Sequence, residues 1–125
     1  MTGPDSQVLD EAVLEELRAS VQGDRAFVVE LIEAYLADGA THIEAISAAV
    51  DAGDATALVR PAHTLKSSSA TLGASRIATT ARELEMLGRS GALGSGVGDL
   101  IGRVREDWPA TTEALRAWAG REGAG

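Results

Sequence analysis

Ala62-His63-Thr64-Leu65-Lys66-Ser67-Ser68-Ser69-Ala70-Thr71-Leu72-Gly73-Ala74 is the stretch from which the fold and the chemistry both follow. Leu65, Ser69 and Leu72, extended backward to Ala62 and Leu58, recur at three- and four-residue intervals. That is the period of a helix with one core-facing stripe. At about 100° per residue, His63 lies roughly 140° from the centre of that stripe. It is expected at the surface and not in the core. Residues three and four further on share its face. These are Lys66 and Ser67, followed by Ala70 and Ala74. The imidazole therefore has one cation beside it and otherwise small neighbours, which leaves room for a bulky partner.

The charge pattern points to the same place. The chain of 125 residues has a net charge of −8, yet from Ala55 to Arg82 there is no Asp or Glu. Arg60, Lys66, Arg76 and Arg82 give that window a positive charge within an acidic protein, a field suited to something anionic. Lys66 is the only lysine, the other ten basic residues being arginine. A lysine is a compact point charge and crowds an imidazole less than a guanidinium fork does. An exposed imidazole is a competent nucleophile when neutral, and a nearby ammonium stabilises the roughly two charges of a phosphoryl group. Phosphoryl transfer needs mainly positioning and charge stabilisation.

Working outward, the chain reads as a succession of helices. Val8 to Ala19 is a short first helix, broken at Gly23. Asp24 caps a long helix from Arg25 to about Val50, with Phe27, Leu31, Ile32, Tyr35 and Leu36 and then Ile43, Ile46 and Val50 on its stripe. Gly39 is read either as a bend or as a tolerated interruption. Gly53 closes this helix and Asp54 caps the third, Ala55 to about Leu72. Pro61 is expected to kink that helix or to move its start toward Arg60. Ser75 is the expected cap of a fourth helix, Arg76 to Leu87, with Ile77, Ala81, Leu84 and Leu87 inward. Gly88 to Gly98 is a Gly/Ser-rich connector. The last helix spans about Val97 to Ala119, with Leu100, Ile101, Val104, Leu115 and Trp118 inward and a kink expected at Pro109. The predicted architecture is all-α: an up-down antiparallel four-helix bundle with a short additional N-terminal helix. The domain spans 8–119, between a flexible tail at 1–7 and a frayed one at 120–125.

Composition removes whole classes of function. Aromatic residues make up only 3%, so the core is aliphatic. The absence of cysteine rules out disulfides, thiolate catalysis and Cys-ligated zinc. No apolar run approaches the roughly 18 residues of a membrane span, and the N-terminus lacks a signal-peptide pattern, so a cytoplasmic protein is expected. The negative net charge disfavours nucleic acid. The Glu-x-x-His pairs of di-iron bundles and the His-Glu-x-x-His zinc motif are absent. No carboxylate is expected in the neighbourhood of His63. His42 has no supporting constellation and reads as a surface or boundary residue. Trp108 and Trp118 read as core or end-of-bundle residues.

The thirteen residues quoted first resemble the signature of histidine phosphotransfer (HPt) domains: a histidine, a small hydroxyl residue, Leu, Lys, small residues, and Gly ten positions after the histidine. The resemblance extends from about Leu9 to Trp118, including the Ala-Gly-Asp turn at Ala52–Asp54 and Arg-Glu-Leu-Glu at Arg82–Glu85. It implies that His63 carries the phosphoryl group through Nε2 and that Lys66 is its electrostatic partner. Arg60, Ser67, Ala70, Gly73 and Ala74 would shape the site or dock a partner. The implied partners are response-regulator receiver domains, one of them in a hybrid histidine kinase. The receivers would supply a divalent metal, with no cofactor in this domain. No autokinase activity is implied, and a monomer suffices. A non-phosphorylated adaptor that docks a receiver or kinase is the alternative. Two positions depart from the pattern: Ser67 stands where many members have Gly, and Pro61 lies two residues before the histidine.

Overall fold

The computed structural model describes residues 8–124, with side chains through Arg121. It contains five helices: α1 Glu11–Ser20, α2 Arg25–Ala52, α3 Ala55–Thr71, α4 Ser75–Ser90 and α5 Val97–Ala124. The expected tail at 1–7 lies outside the described residues. The three aspartate caps explain where the first helices begin. Asp10, Asp24 and Asp54 each accept a backbone N–H of the first turn, from Ala12, Phe27 and Ala57 at 3.0–3.1 Å, satisfying donors that the helix itself leaves unpaired.

Helices α2, α3, α4 and α5 pack in a ring, each against the next and α5 back against α2, while α1 leans on α2 and α3. This is the expected four-helix bundle with one extra helix. Its core is aliphatic, from Val28, Ile32 and Ile46 on α2 through Leu58 and Leu65 on α3 to Ile77 and Leu84 on α4 and Val104 and Leu115 on α5. Trp118 is also buried, and its Nε1–H donates to Glu15 at 3.1 Å, holding α1 to α5.

Several boundaries differ from the sequence reading, each for a local reason. Helix α1 starts at Glu11 and not Val8, because Asp10 is its cap. Helix α3 begins at Ala55 under the Asp54 cap and runs through Pro61, so its start does not move to Arg60. Ser75 is the first residue of α4 and not its cap; Ala74 occupies that place without a side-chain bond. Helix α4 continues to Ser90, where Gly91 turns at φ 83°, so the connector shortens to residues 91–96. Helix α5 runs through Pro109 and past Ala119 to Ala124. On α2, Val28 takes the core position and Phe27 is 42% exposed. On α4, Leu87 is only half-buried, and Thr80, Glu85 and Gly88 are buried instead.

Two glycines are explained by close approach. A Cβ at Gly39 would collide with the Trp108 ring, which also lies tilted against Tyr35 at 5.4 Å between centroids. Gly39 thus makes room for Trp108 between α2 and α5. A Cβ at Gly88 would come within 2.8 Å of Val59 Cγ2 and 2.9 Å of the Ala55 carbonyl. That glycine lets α4 lie close along α3, which brings a side chain of α4 to His63. No helix among the described residues is long and apolar enough to cross a membrane.

Candidate functional site

Leu58, Ala62, Leu65, Ser69 and Leu72 are all buried, as their spacing requires. Ser69 is the one polar member. Its Oγ lies 2.7 Å from the Tyr35 hydroxyl, so both buried hydroxyls are satisfied. Burial pushes the Tyr35 phenol up to about 12, an effect only partly opposed by that hydrogen bond. With this stripe anchored, the opposite face of α3 turns outward, and the His63 side chain is 52% exposed.

The neighbourhood of His63 is not free of carboxylates, contrary to the reading from sequence. Glu85 reaches across from α4, and its side chain is only 7% exposed. His63 Nδ1 lies 3.0 Å from Glu85 Oε2. Lys66 Nζ lies 2.8 Å from Oε1 of the same carboxylate. Arg89, one turn further along α4, donates to Oε2 from Nε at 2.9 Å and from Nη2 at 2.7 Å. Lys66 thus binds the carboxylate that holds the imidazole and does not stand alone beside the ring. The bond from Lys66 is the chief reason the Glu85 carboxyl falls from 4.5 to about 2; Arg89 and His63 add to it, and burial opposes it.

A carboxylate so acidic is ionised at any physiological pH, and an ionised carboxylate only accepts hydrogen bonds. The hydrogen in the His63–Glu85 contact therefore belongs to Nδ1. In the neutral ring this tautomer leaves the lone pair on Nε2, at the ring edge away from Glu85. The arrangement presents one nucleophilic nitrogen at the surface, on a ring whose orientation and tautomer are set by a buried anion. Any positive charge that develops on the ring meets that anion.

Among the other expected site residues, Arg60, Ser67 and Ala70 are exposed on α3. Gly73 and Ala74 are buried and offer no docking surface, which corrects the expectation that Ala74 extends the exposed face of His63. The reason is that α3 ends at Thr71. Gly73 turns the chain at φ 79°, its carbonyl accepts Asp10 N–H at 2.7 Å, and a Cβ there would strike the Asp10 carbonyl. Ala74 N–H donates to the Ser69 carbonyl at 2.8 Å as the chain enters α4. Both residues shape the α3–α4 turn, which sets the register between His63 and Glu85. On the other side of α3, Leu31, Ala34, Tyr35 and His42 of α2 face Thr64 and Ser68 across a shallow, mostly apolar groove. His42 is half-buried there, away from the His63 cluster.

The family model described as Hpt domain matches residues 30–118, most of the chain. The chain belongs to the Hpt domain family. It is therefore a histidine phosphotransfer protein of a phosphorelay, a membership that fits a bundle presenting one exposed, carboxylate-held histidine. The crystal structure of histidine-containing phosphotransfer protein B from Pseudomonas aeruginosa PAO1 is similar, with a TM-score of 0.81 at 27% sequence identity. The likeness covers 93% of this Hpt chain and 97% of that one. A comparison with curated proteins gives no match.

Glu85 and Arg89 are the site residues that sequence reasoning missed. A signal for Glu85 was present: it falls four residues after Ala81 and eight after Ile77, on the apolar stripe of α4. A carboxylate in such a position is buried only if it has partners. Arg89 follows at i+4, and the remaining partners come from another helix.

Proposed function

We propose that this Hpt domain accepts a phosphoryl group on His63 Nε2 from the phospho-aspartate of one receiver domain and passes it to the aspartate of another. The observation that carries the proposal is the Nδ1 contact to Glu85, which leaves Nε2 as the free nucleophile. In the forward step Nε2 forms a bond to phosphorus while the bond from phosphorus to the aspartyl oxygen breaks, and the electron pair leaves with the aspartate carboxylate. No proton has to move, because Nδ1 keeps its hydrogen throughout. The ring becomes cationic, and Glu85 offsets that charge. Transfer onward is the reverse step with a second aspartate.

Lys66 uses one of its three donor hydrogens on Glu85. The others are available to phosphoryl oxygens on the neighbouring ring. Exposed Ser67 and Ala70, both small, leave space for the receiver. The apolar groove between α2 and α3, beside exposed Phe27, gives the receiver a surface to cover. The divalent metal of the transfer reaction belongs to the receiver, and this domain works as a monomer in the cytoplasm without a nucleotide or autokinase activity.

The test is transfer of labelled phosphate from phosphorylated receivers of the host to the purified protein and to its His63→Gln variant. Acid-labile, base-stable label on the wild type and none on the variant is the expected result. Docking of a receiver without any label on the wild type would favour a non-phosphorylated adaptor.

A further inference from the structure

We propose that Arg60 selects the partner: its guanidinium pairs with a carboxylate of the receiver that docks along α2 and α3. This rests on the phosphotransfer reading above and names a contact that the reading leaves open.

Four basic residues occupy the carboxylate-free window, Arg60, Lys66, Arg76 and Arg82. Two are engaged in ion pairs within the fold. Lys66 is held by Glu85 at 2.8 Å, and Arg76 by Asp107 at 3.2 Å. Arg89, the other cation at the site, is held by the same Glu85 carboxylate. Neither Arg60 nor Arg82 has a carboxylate within ion-pair distance among the described residues, and both are exposed. Arg82 is on α4. Only Arg60 is on the helix that carries His63, one turn before it.

Its surroundings point to a protein partner. Arg60 borders a second hollow between α2 and α3, formed largely by Ala45, Ala48, Ala52 and Ala57 with Pro61. Long helical side chains lean toward the N-terminus of their helix. Arg60 therefore lies toward Ala57 and this hollow, and away from the lone pair of His63. Most of the walls are alanine methyl groups, so the surface of a partner can come close. Two charges border the hollow: Asp54, which caps α3 and accepts the Ala57 N–H at 3.0 Å, and Arg60, which has no such partner. A partner seated there meets a largely apolar surface whose end nearer His63 carries the cation Arg60, in a protein whose overall charge of −8 repels acidic surfaces elsewhere. The complementary surface is small, apolar and carboxylate-bearing, presented by the receiver next to its phosphorylated aspartate.

The experiment uses the full chain, phosphorylated on His63, and the host receiver domain that takes the phosphoryl group from it fastest. Single-turnover transfer is measured against receiver concentration for the wild type, Arg60→Gln, Arg60→Glu, Arg60→Lys and Arg82→Gln, with helical content checked by circular dichroism. Arg60→Gln should raise the half-saturating receiver concentration about three- to tenfold and flatten its salt dependence, with the maximal rate retained. Arg60→Glu should raise it further, and Arg60→Lys should recover most of the loss. Arg82→Gln should change it less than Arg60→Gln does. Equal effects of Arg60→Gln and Arg82→Gln would overturn the proposal in favour of a general field. A fall in the maximal rate, matched by slower phosphorylation of Arg60→Gln by phosphoramidate, would overturn it in favour of direct contact with the phosphoryl group. If the wild type transfers to no host receiver, the phosphotransfer reading fails, and the role of Arg60 with it; a wild type that transfers while Arg60→Gln matches it overturns the role of Arg60 alone.

Discussion

His63 Nδ1 on α3 and Glu85 Oε2 on α4 stand 3.0 Å apart, and this contact decides which ring nitrogen is free to react. Removing the carboxylate releases both the ring orientation and the tautomer. Glu85→Ala is expected to slow phosphoryl transfer through His63 by about 10- to 100-fold, the range typical of losing an outer-shell group that orients a functional imidazole. Glu85→Gln keeps an acceptor and loses the charge, so it should fall between Ala and wild type. Stopped-flow transfer kinetics measure the rates, and nitrogen chemical shifts of His63 report the tautomer. Unchanged shifts in Glu85→Ala would show that something else holds the ring.

The same carboxylate makes stability depend on acid. Its pKa is depressed from 4.5 in the unfolded chain to about 2 in the fold, chiefly by Lys66. A depressed carboxylate contributes its full stabilisation above about pH 4.5 and loses it as pH falls toward 2. Urea unfolding between pH 5 and 2 should therefore show a steeper loss of stability for the wild type than for Glu85→Gln. Lys66→Met should flatten the profile by raising the pKa of Glu85. Parallel profiles in wild type and Glu85→Gln would contradict this.

The buried pair of Tyr35 and Ser69 gives a prediction at the other end of the pH scale. Tyr35→Phe leaves the Ser69 hydroxyl without its partner and should cost about 1–3 kcal/mol. Replacing both, as Tyr35→Phe with Ser69→Ala, should recover part of that loss. The Tyr35 phenol is raised from 10 to about 12 in the fold, so its contribution is complete below pH 10 and is lost as pH rises through 12. Denaturant titrations of the two variants, with the wild type followed from pH 9 to 12, check both statements.

Most of the bundle is legible in the sequence because its signals are local. Two aspartates, Asp24 and Asp54, each just before an apolar periodic run, mark the starts of α2 and α3, whereas the Asp10 cap of α1 lies inside a run that reads as helix from Val8; α3 alone sets His63 outward. The helix ends are less legible. Ser75 and Ala74 compete for one cap, and the glycines at 88 and 91 look alike in the sequence. Gly91 breaks its helix at positive φ, whereas Gly88 continues the helix and admits Val59. The site is half legible for a similar reason. Lys66 is one turn from His63 and shares its face, whereas Glu85 is 22 residues away and meets it only when α4 packs on α3. Ala74 extends the His63 face only if α3 is imagined to continue beyond Thr71, where it ends.

Gly39 offers a test of the packing that frames the bundle. In an isolated helix Gly→Ala is favourable by about 1 kcal/mol. Here the added methyl meets the Trp108 ring, and overpacking of that kind costs about 1–3 kcal/mol. Gly39→Ala should therefore destabilise the protein in chemical denaturation, and Trp108→Leu made in the Gly39→Ala background should relieve part of the penalty. A stabilised Gly39→Ala would mean that Trp108 moves aside without cost.

The most direct measurement on the central claim is the site of the phosphoryl group on the ring. The nitrogen-15-labelled protein is phosphorylated with phosphoramidate and examined by NMR for coupling between phosphorus and the ring nitrogens of His63. The account predicts phosphorus on Nε2, with Nδ1 still carrying its hydrogen toward Glu85. Phosphorus on Nδ1, or on His42 in place of His63, would contradict it.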